Sequence, residues 1–211
     1  MTPTKRDRLS AVNGGDKPLL IVLSGLSGAG KDTVLDGLRK SGLPLYISVS
    51  ATTRAPRPGE KEGYDYYFVS KEKFQEMINS GQMLEWAKVY GNYYGRPIAP
   101  VRQALKNGRD VIVRIDVQGA VTIKKKVPQA ILIFLCTLSL AELEKRLRKR
   151  RTESAEELEL RLNTAEKEID QLDMFDYVIV NRENEIDRTV ADFLAIIAAE
   201  KCRVTRRELN V

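Results

Sequence analysis

PLLIVLSGLSGAGK, residues 18–31, decides how the rest of the chain is read. Residues 18–24 form a short unbroken apolar run, which suits a strand buried on both faces, as in a parallel sheet. Gly25 follows at once, and Val34, Leu35 and Leu38 then recur at helical spacing before Gly42. Strand, glycine-rich loop and helix therefore follow in order. Residues 25–31, GLSGAGK, match the pattern G-x-x-x-x-G-K. Gly25, Gly28 and Gly30 let the backbone turn its N–H groups inward around phosphate oxygens, and the helix adds the positive end of its dipole. The loop Gly25, Leu26, Ser27, Gly28, Ala29, Gly30 and Lys31 is expected to bind the phosphates of a nucleoside triphosphate. Lys31 would reach the terminal ones as a mobile point charge. Where this motif usually has a Ser or Thr on Mg²⁺, the chain has Asp32, followed by Thr33, and both are placed with the phosphate loop. A carboxylate is a hard oxygen donor, so Asp32 is the expected metal ligand. The alternative is an acid in the first helical turn, where the macrodipole favours it.

Outward from this unit, LYISVS (45–50), DVIVRID (110–116), AILIFLC (130–136) and DYVIV (176–180) are further buried-strand candidates. Helical patterns alternate with them. Phe74, Met77 and Ile78 mark one, closed by Gly81, and Val101, Ala104 and Leu105 mark another between Pro100 and Gly108. Ser139 with Glu142, and Ser154 with Glu157, have the spacing of capping boxes. Ile186, Val190, Phe193, Leu194 and Ile197 mark the last helix. Alternation of this kind predicts an α/β fold with a P-loop-type parallel sheet flanked by helices. Two stretches interrupt it, one rich in Arg, Gly, Pro and Tyr and one of densely charged helices. They are read as lobes inserted into one domain spanning 18–211. The core is expected at 18–50, 99–138 and 170–211, with an acceptor-binding lobe at 51–98 and a helical lid at 139–169. Residues 1–17 lack the apolar centre of a signal peptide and read as a flexible tail.

Composition narrows the function. Charged residues make up 30% and the hydrophobic set 43%, ordinary for a globular protein in water. No apolar stretch approaches membrane-spanning length. The net charge of +6 suits an enzyme of polyanionic nucleotides, and because the basic residues fall in separate motifs, nucleic acid is not the expected partner. Cys136 and Cys202 have no metal or redox spacing and read as free thiols of a reducing cytoplasm. The chain has no His, which excludes His-based acid/base catalysis and His metal ligation. Oligomeric state is not legible; a homo-oligomer stays open.

SVSATTRAPRPGEKEGYDYYFVS (48–70) groups Ser50, Arg54, Arg57 and Tyr66. Two guanidinium forks match phosphate oxygens bidentately, and a phenol is a neutral donor able to complete such a site. With LEWAKVYGNYYG (84–95), this string resembles the guanylate kinase family, whose motifs read close to S-x-S-x-T-T-R-x-P-R-x-G-E-x-x-G-x-D-Y-x-F-V and E-W-A-x-x-x-G-x-x-Y-G. The resemblance runs from about residue 18 to 200. It implies that Arg54, Arg57, Tyr66 and Tyr94 hold the phosphate of GMP, and that Ser50, Glu85 and Asp116 meet the guanine. Chemistry supports Glu85 independently, since a carboxylate offers two acceptors for the adjacent N1–H and N2–H donors of guanine, a pair adenine lacks. Two positions depart from the family. Arg96 stands where a Ser or Thr usually contacts the base, and Arg114 where some members carry an acid.

ELEKRLRKRRTESAEELELRL (142–162) resembles the family's lid, which implies that Arg146, Arg150 and Arg161 close over ATP and the transferring phosphoryl group. VIVN (178–181) resembles the segment beside the adenine and nominates Asn181 as a base contact. The implied reaction is MgATP + GMP ⇌ ADP + GDP. Its nucleophile is a phosphate oxygen already ionised at neutral pH, so no general base is needed, in accord with the absence of His. Catalysis then rests on alignment and on cations, with Lys31, Arg54, Arg146, Arg150 and Arg161 as the catalytic set beside Mg²⁺. The chief alternative is a non-catalytic domain of the same shape that recognises a protein or phosphopeptide. Such domains commonly have a degraded phosphate loop, and here Lys31 and the loop glycines are intact.

Overall fold

Side chains alternating along one strand build both halves of the core. In the computed structural model, which describes residues 17–89, 91–149, 155–205, 207, 209 and 211, strand β1 (Leu20–Gly25) is buried throughout. Ile21 and Leu23 enter one apolar cluster, and Leu20 and Val22 enter another. That is the two-faced burial of a strand inside a parallel sheet. β1 pairs in parallel with β7 (Asp110–Arg114) and β8 (Ile131–Cys136). β2 (Leu45–Ile47) and β9 (Tyr177–Val180) close the edges, in the order β2-β7-β1-β8-β9. Helices α1 (Lys31–Arg39), α5 (Leu140–Lys149), α6 (Ala155–Ile169) and α7 (Ile186–Lys201) cover one face through Val34, Leu143, Leu147, Ala165 and Phe193. α3 (Ile98–Lys106) and α4 (Val117–Lys126) cover the other with Val101, Ala104, Ala120 and Ile123.

A second, mixed sheet holds β3 (Ser50–Thr52), β4 (Tyr66–Phe68), β5 (Met83–Val89) and β6 (Asn92–Pro97) in the order β4-β3-β6-β5. α2 (Lys71–Asn79) packs Phe74 with Ala51 and Met83 into a small core beneath it. The stretch 45–50 is therefore not one strand. Ser48 ends the pairing with β7 by donating both its N–H and its Oγ–H to the Ile112 carbonyl, each at 2.9 Å. Two residues later the chain enters the other sheet.

The β5–β6 hairpin and α4 also go beyond the sequence reading. α4 is announced by its cap, Asp116, whose Oδ1 accepts from the Gly119 N–H at 2.7 Å. Ser139 caps α5 as its spacing predicts, with the Glu142 N–H donating to Ser139 Oγ at 3.2 Å. Ser154, of the other expected capping box, lies outside the described residues.

Candidate active site

β1 ends where a side chain cannot fit. Gly25 has φ +122°, and a Cβ there would stand 2.0 Å from the Leu135 carbonyl oxygen. The Leu26 N–H donates to that oxygen at 3.1 Å, which fastens the start of the loop to β8, and Leu26 itself is buried in the core. The far end of the loop is held at the Ala29 carbonyl, which accepts from Asn181 Nδ2 at 2.7 Å and from Arg146 Nη1 at 3.4 Å. Gly30, with φ +95°, makes room, since a Cβ there would stand 2.6 Å from Asn181 Nδ2. Asn181 Oδ1 accepts from Thr189 Oγ1 at 3.1 Å, and its carbonyl takes Arg146 Nη2 at 2.7 Å. Asn181, expected beside the adenine, thus bonds to the phosphate loop and to Thr189. Its amide is buried with both polar ends engaged inside the protein, and it braces the phosphate loop.

Lys31 opens α1, and its Nζ folds back to donate to the carbonyls of Gly25 at 2.6 Å and Leu26 at 3.0 Å. Burial lowers its pKa, against the pull of Glu168. Glu168, near the end of α6, accepts from the Ser27 backbone N–H; burial raises its pKa while Lys31 opposes the rise. One of its oxygens is buried with no partner among the described residues. Arg161, on the same helix, donates Nη1 to Ser27 Oγ at 3.1 Å. Arg150, the remaining lid arginine, lies outside the described residues.

Asp32 is exposed and pairs with Arg114, whose Nη1 donates to Oδ1 at 2.7 Å. The departure from the phosphate-loop motif, Asp32, is thus the partner of one of the two departures from the family pattern, Arg114. An ion pair this exposed contributes about 0–1 kcal/mol. Thr33 is exposed on α1 and does not border the cleft described next.

A cleft of about 470 Å³ runs from the phosphate loop to the second sheet. Gly25, Ser27 and Lys31 line one end, and Ser50, Tyr66, Glu85, Tyr94 and Asp116 the other. Tyr66 and Tyr94 meet edge to face with centroids 6.1 Å apart, and the Arg54 guanidinium lies 5.5 Å from the Tyr66 centroid. Arg54 is bidentate to Glu60, Nη2 reaching Oε1 at 2.7 Å and Oε2 at 3.0 Å. Glu60 Oε2 also accepts the Arg57 backbone N–H at 2.7 Å, so one carboxylate gathers both turns, while the Arg57 side chain is exposed. Glu85 is buried at the cleft wall. Burial raises its pKa and Asp116 adds to the rise, while Arg96 and Lys126 oppose it.

The sequence reading left out Glu60 and Glu168. Glu60 falls inside the quoted motif, so a signal was present. Glu168 is one acid in a helix crowded with them, and only its contact with Ser27 sets it apart.

A parallel sheet whose central strand ends in a G-x-x-x-x-G-K loop places the protein among P-loop nucleotide-binding α/β folds. The comparisons narrow this. The guanylate kinase family model matches residues 17–200. The chain is 50% identical to a guanylate kinase of Desulfitobacterium hafniense over 189 residues, 90% of this chain and 94% of that one. It is 46% identical to a guanylate kinase of Halalkalibacterium halodurans over 191 residues, 90% and 93% of the two chains. The crystal structure of guanylate kinase from Anaplasma phagocytophilum superposes with a TM-score of 0.70 at 34% identity, covering 89% of this chain and 88% of that one. The chain belongs to the guanylate kinase family of enzymes.

The raised pKa of Glu85 carries a pH dependence. A carboxyl that holds its proton to higher pH loses its acceptor charge sooner as pH falls. Guanosine has no phosphate titrating in that range, and Trp86, the chain's one Trp, borders the cleft and reports binding by fluorescence. Guanosine binding is expected to weaken on acidification with a midpoint above the ordinary 4.5. In Glu85→Gln it should be weak and independent of pH. Constant parent affinity from pH 8 down to about 4.5 would contradict the assignment.

Proposed function

We propose that this chain transfers the γ-phosphoryl group of ATP to GMP, giving ADP and GDP. One observation carries the reading: the phosphate loop with its lysine and the acceptor residues Ser50, Tyr66, Glu85, Tyr94 and Asp116 face each other across a single cleft. Glu85 and Ser50 take the guanine beside Asp116, and Arg54, Arg57, Tyr66 and Tyr94 take the GMP phosphate. The loop N–H groups and Lys31 take the ATP phosphates. A GMP phosphate oxygen attacks the γ-phosphorus, and the bond to the β,γ-bridging oxygen breaks. No proton has to leave the nucleophile. Lys31 then leaves the Gly25 and Leu26 carbonyls for the phosphates, and Arg146 and Arg161 lie near enough to the loop to meet the charge that builds there. Arg150 joins them on the resemblance alone.

Two carboxylates have to give way. Glu60 releases Arg54 to the acceptor phosphate, and Glu168 releases the Ser27 N–H to ATP. We assign 51–98 to the acceptor lobe and 139–169 to a lid, moving against the core 18–50, 99–138 and 170–211 so that closure keeps water from the γ-phosphorus. No helix among the described residues is long and apolar enough to cross a membrane, and both cysteines are free, so we place the enzyme in the cytoplasm.

Mg²⁺ in such sites is held by one or two protein oxygens together with substrate phosphates. Among the described residues no cluster of three or more acidic, His or Cys groups forms an all-protein cage. Asp32 fits the lesser demand. Arg114 engages Oδ1, and Oδ2 has no hydrogen-bond donor among the described residues. When bound there, Mg²⁺ neutralises charge on the β- and γ-phosphates.

Purified protein assayed for ADP release with GMP, AMP, UMP and dTMP in parallel tests the acceptor. GMP should exceed the others in kcat/KM by about 10⁴ or more, the size of discrimination a hydrogen-bonded polar site achieves; comparable rates with any other nucleotide would overturn the reading. The metal assignment has its own test. Asp32→Ala should raise the Mg²⁺ concentration for half-maximal rate and leave the KM for GMP nearly unchanged. A variant titration curve that overlays the parent's would leave Asp32 as the partner of Arg114 and nothing more.

A further inference from the structure

Position 96 departs from the family, and its surroundings give the departure a use. Arg96 in β6 is the cross-strand partner of Glu85 in β5, so both side chains leave the same face of the hairpin. It is 2% exposed and borders the cleft. An arginine carries five N–H donors. Nη1 uses its two on the Ser48 carbonyl and Ser48 Oγ, both at 2.7 Å. Nη2 uses its two on Ser50 Oγ at 3.1 Å and the Arg114 carbonyl at 2.8 Å. The fifth, Nε–H, is buried with no hydrogen-bond partner among the described residues and stands 3.7 Å from Glu85 Oε1. Unpaired buried donors are costly, and an arginine retained only to hold strands together would not be expected to aim one at the acid in the cleft wall.

We propose that Arg96 is a positioning residue that sets the hydrogen-bond polarity of the base subsite, and so makes the enzyme choose 6-oxo over 6-amino purines. The proposal rests on the acceptor reading above and deepens it. Arg96 acts through two neighbours. Ser50 Oγ accepts from Nη2, which leaves its own O–H to donate into the cleft. Arg96 opposes the rise that burial gives the Glu85 pKa and so favours the anion, which only accepts. A donor next to a pair of acceptors complements guanine, whose O6 accepts while N1–H and N2–H donate. Adenine presents a donor at position 6 and an acceptor at N1, so it meets like against like. Were Glu85 neutral, its O–H beside a C=O would match N1 and the 6-amino group of adenine instead. The same carboxyl thus reads opposite bases according to the charge beside it.

Arg96→Met and Arg96→Lys test this, with kcat/KM measured for GMP, IMP and AMP, KM for ATP, and GMP affinity from Trp86 fluorescence. IMP shares the 6-oxo group and N1–H with GMP but lacks the 2-amino group. In Arg96→Met, kcat/KM for GMP and IMP should fall together at least about tenfold, with AMP and the KM for ATP changing less than about threefold. Arg96→Lys keeps a charge beside Glu85 but loses the fork to Ser50, so its GMP:AMP ratio should fall by at least about threefold and less than in Arg96→Met. A folded Arg96→Met with the parent's GMP:AMP ratio overturns the proposal. So does one that loses GMP, AMP and ATP alike, which would make Arg96 a structural pin. If circular dichroism shows Arg96→Met unfolded, Arg96→Lys decides, and a parent-like ratio there overturns the proposal. Failure of the acceptor reading looks different: the unsubstituted enzyme would itself show no preference for GMP.

Discussion

A single buried guanidinium joins the two sheets between which the site is divided. Arg96 grows from β6 in the acceptor sheet, yet three of its five N–H groups bond to the ends of core strands, at Ser48 just past β2 and at the Arg114 carbonyl of β7. Those carbonyls lie where strand pairing stops, and buried backbone acceptors need partners. The cation thus gives these acceptors their donors, and they in turn replace the water it has lost. Removing one member of a buried charged network typically costs about 3–5 kcal/mol, because the remaining groups are left unpaired out of water.

The loop has a comparable dependence on its supports. Leu26 fastens one end to β8, while Asn181 and Arg146 converge on the Ala29 carbonyl at the other. Between these points the loop backbone is held in place, so that its donors are already positioned once Glu168 has released the Ser27 N–H. So many cations near one cleft would repel. At about 4 Å and an effective dielectric of about 20, two like charges cost roughly 4 kcal/mol. Glu60 against Arg54, and Glu168 beside Lys31, relieve that repulsion with the protein's own carboxylates. They stand where nucleotide phosphates are proposed to bind, so binding exchanges a protein anion for a nucleotide anion beside each of these cations.

What could be read from the sequence was local. β1, the phosphate loop and the start of α1 are contiguous, and their apolar run, glycines and lysine each carry a direct physical meaning. The acceptor residues were legible because a long motif groups them. Long-range partnerships were not. Nothing near Asp32 announces Arg114, 82 residues away. The break after β2 depends on Ser48 meeting Ile112 and Arg96, both distant in the chain. The apolar and polar residues of the β5–β6 hairpin do not alternate cleanly, and in α4 the Asp116 cap reads equally well as a base contact, while the apolar positions Val117, Ala120 and Ile123 span less than two turns. The sequence beside Asn181 does not announce that its amide bonds to Ala29 and Thr189. A polar residue beside an apolar strand gives no sign of which way it turns.

The central claim is that one cleft holds a guanine nucleotide and an adenine nucleotide with their phosphates in line. Calorimetric titration with adenosine and guanosine joined through five phosphates tests it most directly, compared with the adenosine–adenosine analogue of the same length. One molecule should bind per chain, at least about a hundredfold tighter for the mixed compound, as expected when two linked groups engage two matched subsites at once. Equal affinity for the two compounds, or mixed-compound affinity no better than that of ATP alone, would contradict it.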